Sequence, residues 1–164
     1  MPRITPNLWF DTNALGAAEF YVSVFPNSEV TDVTYYPDDA PNPGGILTVS
    51  FLLDGQEHTA INGGPQFTFD EAVSLLINCA DQDDVDYYWS ALTADGGEES
   101  QCGWLKDKFG LSWQVVPEGW AKLYTSDDKE AVKRALNAMY GMQKLDLGAL
   151  QDAFDGKTTS ERRT

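Results

Sequence analysis

The chain has 164 residues, 42% hydrophobic and 12% aromatic, which suffices for the core of one domain or of two small fused modules. Its formal net charge of −15, from 26 acidic and 11 basic residues, excludes nucleic acid and an anionic membrane surface as expected partners. The N-terminus has no apolar stretch of signal-peptide length and no run approaches the roughly 18 apolar residues of a membrane span, so we expect a cytoplasmic protein.

The first half of the chain predicts a strand, a helix and three further strands. Leu8 and Phe10 alternate with Asn7 and Trp9, which indicates a first strand with one buried face. Helical spacing of apolar residues then predicts a helix from about Ala14, with a cap among residues 11–13. Further strands are expected at residues 29–36, 46–53 and 58–62, with a tight hairpin at Asp54-Gly55.

The second half predicts the same order of elements. Residues 72–79 alternate as a strand, and Asp81 is a candidate cap for the helix that follows. Three short strands are then expected at residues 98–102, 104–108 and 111–116.

The C-terminal part of the sequence differs from both halves. Asp127 with Glu130 is typical of a capping box, and Asp146 is a candidate cap for a last short helix. We expect these helices to pack on the outside of the sheets, with covering of a sheet edge or contribution to a dimer as the alternatives. We expect residues 157–164 to form a polar tail.

The two halves therefore describe a duplicated module. In each, an aromatic-led strand passes through a turn into a return strand: residues 51–53 into 58–62, and residues 104–106 into 112–116. Duplicated modules commonly hold a small molecule between their copies, so the repeat bears on function.

Several stretches resemble the vicinal oxygen chelate superfamily, and most closely its 3-demethylubiquinone-9 3-methyltransferase-like branch. The resemblance implies an α+β fold in one domain: a first βαβββ module over residues 1–70, a second over 71–118 and additional helices over 119–156. It also implies a cup formed by the curled strands, and a homodimer. The stretches that carry it are Leu8-Trp9-Phe10-Asp11 with Ala17-Ala18-Glu19-Phe20-Tyr21, Asn62-Gly63-Gly64-Pro65-Gln66-Phe67, and residues 101–110 with Ser112-Trp113-Gln114.

Metal-dependent members of that superfamily carry His or Glu at four inward positions. The corresponding places here are Pro6 or Asn7, Asn62, Ser74 and Gln114. Amide and hydroxyl oxygens are weak ligands for a divalent transition metal, and the chain contains one His. We therefore predict that the metal site of the superfamily is absent.

The branch name suggests a methyl donor, but the glycine pattern does not. The pairs Gly44-Gly45, Gly63-Gly64 and Gly96-Gly97 are typical of loops, and none follows the GxGxxG pattern of a nucleotide-binding turn. No cofactor is expected.

Two residues are candidates for catalysis. His58 is a candidate general base, since histidine is the residue type most often used for proton transfer near neutral pH, and it shares strand parity with Ala60 and Asn62, so all three could face the cup. A hydrogen-bonded or half-exposed histidine at the strand end is the favoured interpretation. Cys102 could be a nucleophile, although an inert, partly buried thiol is the favoured interpretation for it and for Cys79.

The leading hypothesis is metal-independent binding of a small, partly apolar molecule. An enzyme acting on a small carbonyl or ring compound through His58 or Cys102 is one alternative. A structural module whose cup is filled by its own side chains is the other. The candidate ligand-binding residues are Asn7, Trp9, Asn62, Trp104 and Gln114.

Overall fold

A computed structural model describes residues 4–157. Within this range the chain divides after Phe69 into two compact units, a first unit (residues 4–69) and a second unit (residues 70–157), which are treated separately. Each begins with a strand, a helix and three further strands, so the predicted α+β fold with two βαβββ modules is confirmed. The predicted polar tail lies outside the described residues apart from Lys157.

The first unit forms a four-stranded sheet in the order β1-β4-β3-β2. β1 runs parallel to β4, and the other neighbours are antiparallel. The hairpin predicted at Asp54-Gly55 is present, with φ of 45° and 74° at the two residues, as a tight hairpin turn requires. The elements are β1 (Asn7–Phe10), α1 (Ala14–Val24), β2 (Glu29–Tyr35), β3 (Ile46–Leu53) and β4 (Gln56–Asn62).

One face of this sheet packs against α1. The helix presents small residues to the strands, which lets its backbone approach closely, and the fully buried Tyr21 contacts the ring of Phe51. The strands alternate, so every second residue is buried under the helix. This core is made by Leu8, Phe10, Ala14, Ala17, Ala18, Tyr21, Val49, Phe51, Leu53 and Ala60.

The second unit repeats the arrangement, with the sheet order β5-β8-β7-β6 and a parallel β5–β8 pair. Asp81 caps α2 as predicted, because its carboxylate accepts from the backbone N–H of Asp84 at 3.0 Å. The helix packs on β7 and β8 over Leu105 and Trp113. The elements are β5 (Ser74–Cys79), α2 (Gln82–Thr93), β6 (Glu98–Glu99), β7 (Trp104–Lys106) and β8 (Ser112–Pro117).

Three helices follow β8, where capping signals predicted two. The additional helix, α3, starts directly after Pro117 and has no side-chain cap, so no capping residue marks its N-terminus. α4 is capped by Asp128, whose carboxylate accepts from Ala131 N–H at 3.0 Å, and the prediction of Asp127 was wrong by one residue. Asp146 caps α5 as predicted. The helices are α3 (Glu118–Tyr124), α4 (Lys129–Met139) and α5 (Leu147–Asp155).

These helices do not pack on the outer, helix-covered face of the second sheet. Their buried cluster, Leu123, Leu145 and Leu150, contacts Val116 of β8. Val116 alternates with buried Val115, so it points away from α2. The expectation of packing on the outside of the sheets is therefore corrected. Among residues 4–157, no helix combines the length and apolar character that crossing a membrane demands.

Candidate functional site

Each sheet has one face covered by its own helix and one opposite face, which we call the open face. In the first unit, Asn7 and Trp9 lie on the open face, because Leu8 and Phe10 point to α1. The parallel register places Thr59 beside Asn7 and Ile61 beside Trp9. Two of the predicted ligand-binding residues are thus neighbours on one strand.

Trp9 is fixed by the segment that follows β4. Its indole Nε1–H donates to the carbonyl of Gly64 at 2.9 Å, and its ring meets Phe67 edge to face at 5.0 Å. A Cβ at Gly63 would lie 2.2 Å from the indole, so glycine is required there. The Asn-Gly-Gly-Pro-Gln-Phe stretch, residues 62–67, therefore holds the Trp9 side chain in place.

His58 and Asn62 lie on the other face. They share a face with Ala60, as parity predicts, but that face packs against α1. The expectation that all three face the cup is corrected for this reason. Strand parity groups residues by face and carries no information on which face the helix covers.

Asn62 holds the start of α1 from a neighbouring strand. Its Oδ1 accepts from the Ala14 N–H at 2.9 Å, and its Nδ2 donates to the carbonyl of Ile46 at 3.1 Å. Asn13, the residue in the cap position, makes no side-chain cap bond. Asn62 also borders a cavity of about 470 Å³ with Tyr36 and Gln66, and its ligand-binding role stays a prediction.

His58 is packed among apolar groups. Its imidazole stacks on Phe51 with ring centroids 5.5 Å apart, and Nδ1 lies 3.0 Å from the carbonyl oxygen of Gln56. Only 7% of the residue is exposed. The geometry accounts for this histidine as a core residue, and its role as a general base stays a prediction.

The open face of the second unit brings three predicted positions together. Gln114 Nε2 donates to the Ser74 hydroxyl at 2.9 Å across the parallel β5–β8 pair. On the other side, Trp104 is the register partner of Gln114. An aromatic ring, an amide and a hydroxyl therefore lie on one face across three strands, although the register partner of Gln114 on β5 is Leu76 and not Ser74.

A cavity of about 470 Å³ opens on this face beside Trp104. Both Trp104 and Cys102 border it, together with Lys106. Lys106 Nζ pairs with a Glu71 carboxylate oxygen at 2.6 Å. This hydrogen bond lowers the pKa of Glu71 and raises the pKa of Lys106, so both groups are charged at neutral pH.

The two cysteines are free thiols with different surroundings. Cys79 is fully buried, and burial, aided by the charge of Asp84, raises the pKa of its thiol from 9.0 to about 12. Cys102 is partly buried, and its thiol donates to the Met139 carbonyl at 3.7 Å. Cys79 therefore stays protonated at neutral pH and cannot act as a nucleophile.

Asp107 has a buried carboxylate, and no structural or functional role was predicted for this residue from the sequence. Its Oδ1 accepts from the backbone N–H of Phe109 and Leu111, at 2.8 and 3.1 Å, and its Oδ2 accepts from Trp113 Nε1 at 2.8 Å. The residue is 2% exposed. Asp107 thus joins the β7–β8 turn to the core. An Asp-Lys-Phe-Gly turn followed by a tryptophan is the sequence signal that could have identified it.

The residues at the inward positions do not fit the metal of the superfamily. Asn7, Ser74 and Gln114 offer only neutral amide and hydroxyl groups, and both polar atoms of the Asn62 side chain are bound to backbone. Within residues 4–157, no three His, Cys, Asp or Glu side chains are grouped so that they could hold an ion.

The succession of two βαβββ units along the chain, each with its own four-stranded sheet, is typical of the vicinal oxygen chelate superfamily. Residues 2–116 match the family described as 3-demethylubiquinone-9 3-methyltransferase, and the chain belongs to this family. No match was found among curated proteins.

Two solved structures illustrate the similarity. The PhnB protein from Bacillus cereus is 32% identical, with a TM-score of 0.64 over 71% of this chain and 99% of its own. The protein PA1353 from Pseudomonas aeruginosa is 19% identical, with a TM-score of 0.59 over 72% of this chain and 98% of its own. The second likeness concerns the fold alone.

Proposed function

We propose that this protein binds a small, partly apolar molecule on the open face of its second unit, without a metal. The observation that supports this most directly is the cavity of about 470 Å³ bordered by Trp104 and Cys102. Its volume falls within the range of roughly 300–1,000 Å³ typical of small-molecule sites.

The groups around the cavity suit a neutral ring or carbonyl compound. Trp104 offers an aromatic surface, and aromatic rings contribute large apolar area with defined geometry. Gln114 does not line the cavity but is the register partner of Trp104 on the neighbouring strand, and its amide nitrogen is used by Ser74. Lys106 pairs with Glu71, and Glu98 and Glu99 also border the cavity, so its charged groups disfavour an anionic ligand.

The test uses acetophenone as a probe and the indole N–H signals of the five tryptophans. We expect the Trp104 signal, assigned from its loss in Trp104→Phe, to shift as acetophenone is added. Trp9 lies on the open face of the first unit, and Trp9→Phe, which assigns the Trp9 signal, is the matched control. A shift of Trp9 alone would place the site in the first unit. Titration with no shift of either signal would contradict the proposal for this class of molecule.

We also propose a homodimer in the cytoplasm. The dimer follows from the family resemblance, and the edge strand β5 agrees with it, since Leu76 is 53% exposed on the open face. Two free thiols fit a reducing compartment. Light scattering coupled to gel filtration should give twice the 18.1 kDa chain mass, and a mass of one chain would contradict the dimer.

A further inference from the structure

We propose that the C-terminal extension, residues 118–157, is a positioning element of the cavity in the second unit. It holds the Cys102-Gly103 turn, and the turn sets the position of Trp104. The consequence for ligand binding rests on the proposed function, whereas the mechanical role of the extension does not. The residues that position the turn are Gln82, Leu145 and Gly103.

Both backbone N–H groups of the turn donate to the extension. Cys102 N–H bonds the carbonyl of Met142 at 2.8 Å, and Gly103 N–H bonds the carbonyl of Gln143 at 2.7 Å. The Cys102 thiol adds a third bond, to Met139. A cavity wall is thereby attached to the segment that joins α4 to α5.

The turn needs such partners because its backbone is strained. Cys102 has φ of +59°, a region that costs a residue with a side chain roughly 1 kcal/mol, and Gly103 follows with φ of +83°. A Cβ at Gly103 would lie 2.9 Å from the Val115 carbonyl oxygen and 3.1 Å from the side chain of Leu145. Trp104 N–H closes the turn on the Gln101 carbonyl at 3.1 Å, so the turn leads directly into the ring that borders the cavity.

α2 braces the extension from the other side. Gln82 Nε2 donates to the Leu145 carbonyl at 3.1 Å, and Gln82 Oε1 accepts from Leu147 N–H at 2.9 Å. Lys144 Nζ pairs with Asp86 at 2.5 Å. The segment that holds the turn is therefore clamped between α2 and the turn itself.

The clamp lies in a part of the chain that the family match does not cover. The family match ends at residue 116, before α3 begins. The acceptors at Met142 and Gln143 lie in the part of the chain beyond that match. The site of this protein thus depends on a segment that the shared fold does not supply.

The experiment compares Gln82→Ala with Gln151→Ala. Gln151 lies on α5, and within residues 4–157 its side chain bonds only Asp155, four residues on, so Gln151→Ala is a matched loss of a glutamine in the extension. Each lost hydrogen bond shifts an opening equilibrium by roughly fivefold, so Gln82→Ala should speed amide exchange at Cys102 and Gly103 by roughly 25-fold. It should also move the Trp104 indole signal and weaken acetophenone binding at least about fivefold. Gln151→Ala should leave all three unchanged.

Each result decides between the two proposals. Unchanged exchange at Cys102 and Gly103 in Gln82→Ala would overturn the clamp. Faster exchange with an unmoved Trp104 signal and unchanged acetophenone affinity would overturn the positioning role while small-molecule binding stands. If acetophenone does not bind the wild-type protein, the proposed function fails for this probe, and the amide exchange and the Trp104 signal alone decide the clamp.

Discussion

The two units share a backbone plan and differ in the side chains that fix it. Both sheets have the order first, last, third, second strand, with a parallel pair of first and last strands. In the first unit the helix start is held by Asn62 of the last strand, whereas in the second it is held by Asp81, its own cap. The repeated topology therefore does not carry its polar contacts from one copy to the other.

The open faces differ in the same way. In the first unit the face is rich in hydroxyl groups, and those of Thr34 and Thr48 lie 2.6 Å apart. In the second unit the extension covers the end of the face at Val116, and the cavity beside Trp104 remains. The added helices, and not the repeat, distinguish the proposed site.

The largest expected effect tests the contrast between the two hairpins. Asp107 accepts three hydrogen bonds in the β7–β8 turn, whereas in the β3–β4 hairpin the N–H groups of Asp54 and Gly55 donate to the Ser28 hydroxyl and the Asn27 carbonyl. Asp107→Ala should lower the free energy of unfolding of the second unit by about 3–5 kcal/mol, because it leaves buried donors unpaired. Urea unfolding monitored by amide exchange measures this. Equal loss of protection in residues 4–69 would break the view of two separate units.

The next effect tests the contrast between the helix starts. Asn62→Ala removes the acceptor for Ala14 N–H and the donor to Ile46, and should cost about 1–3 kcal/mol in urea unfolding. Asn13→Ala is the control, and should cost little because its side chain makes no cap bond. A larger loss from Asn13→Ala than from Asn62→Ala would refute this account of the first helix.

The smallest effect concerns the residues that end the first strand of each unit, Phe10 and Cys79, both buried under a helix. Burial raises the pKa of the Cys79 thiol from 9.0 to about 12. The contribution of the protonated thiol to the free energy of unfolding is therefore complete below pH 9 and is lost as the pH rises toward 12. Stability should therefore be about 1.4 kcal/mol lower at pH 10 than at pH 8 through this group. Thermal unfolding of Cys79→Ala over the same pH range should lack this part of the decline, and an identical decline would contradict it.

Much of the fold was readable from the sequence because alternation and turn residues are local signals. Asp54-Gly55, Asp81 and Asp146 each specify a turn or a helix start within four residues. α3 was missed because Pro117 gives it no side-chain cap.

The site was less predictable because its determinants are distant in sequence. Asn62 reads as a pocket amide until Ala14, 48 residues away, is found beside it. The partner of the Cys102 N–H, the Met142 carbonyl, is 40 residues away and leaves no pattern in either segment. Trp104 and Gln114 were predicted as ligand-binding residues, and the structure shows that they are register partners on neighbouring strands, while their ligand-binding role stays a prediction.

The parallel pairing of first and last strands has a consequence for folding during synthesis. Asn7 cannot pair with Thr59, and Ser74 cannot pair with Ser112, until the last strand of the respective unit has been synthesised. In a chain leaving the ribosome, β1 therefore stays unpaired while α1, β2 and β3 emerge. The entropy cost of closing the long loop between β1 and β4 arises only when β4 has been made. Each unit should be acquired in a single late step, the first unit before the second.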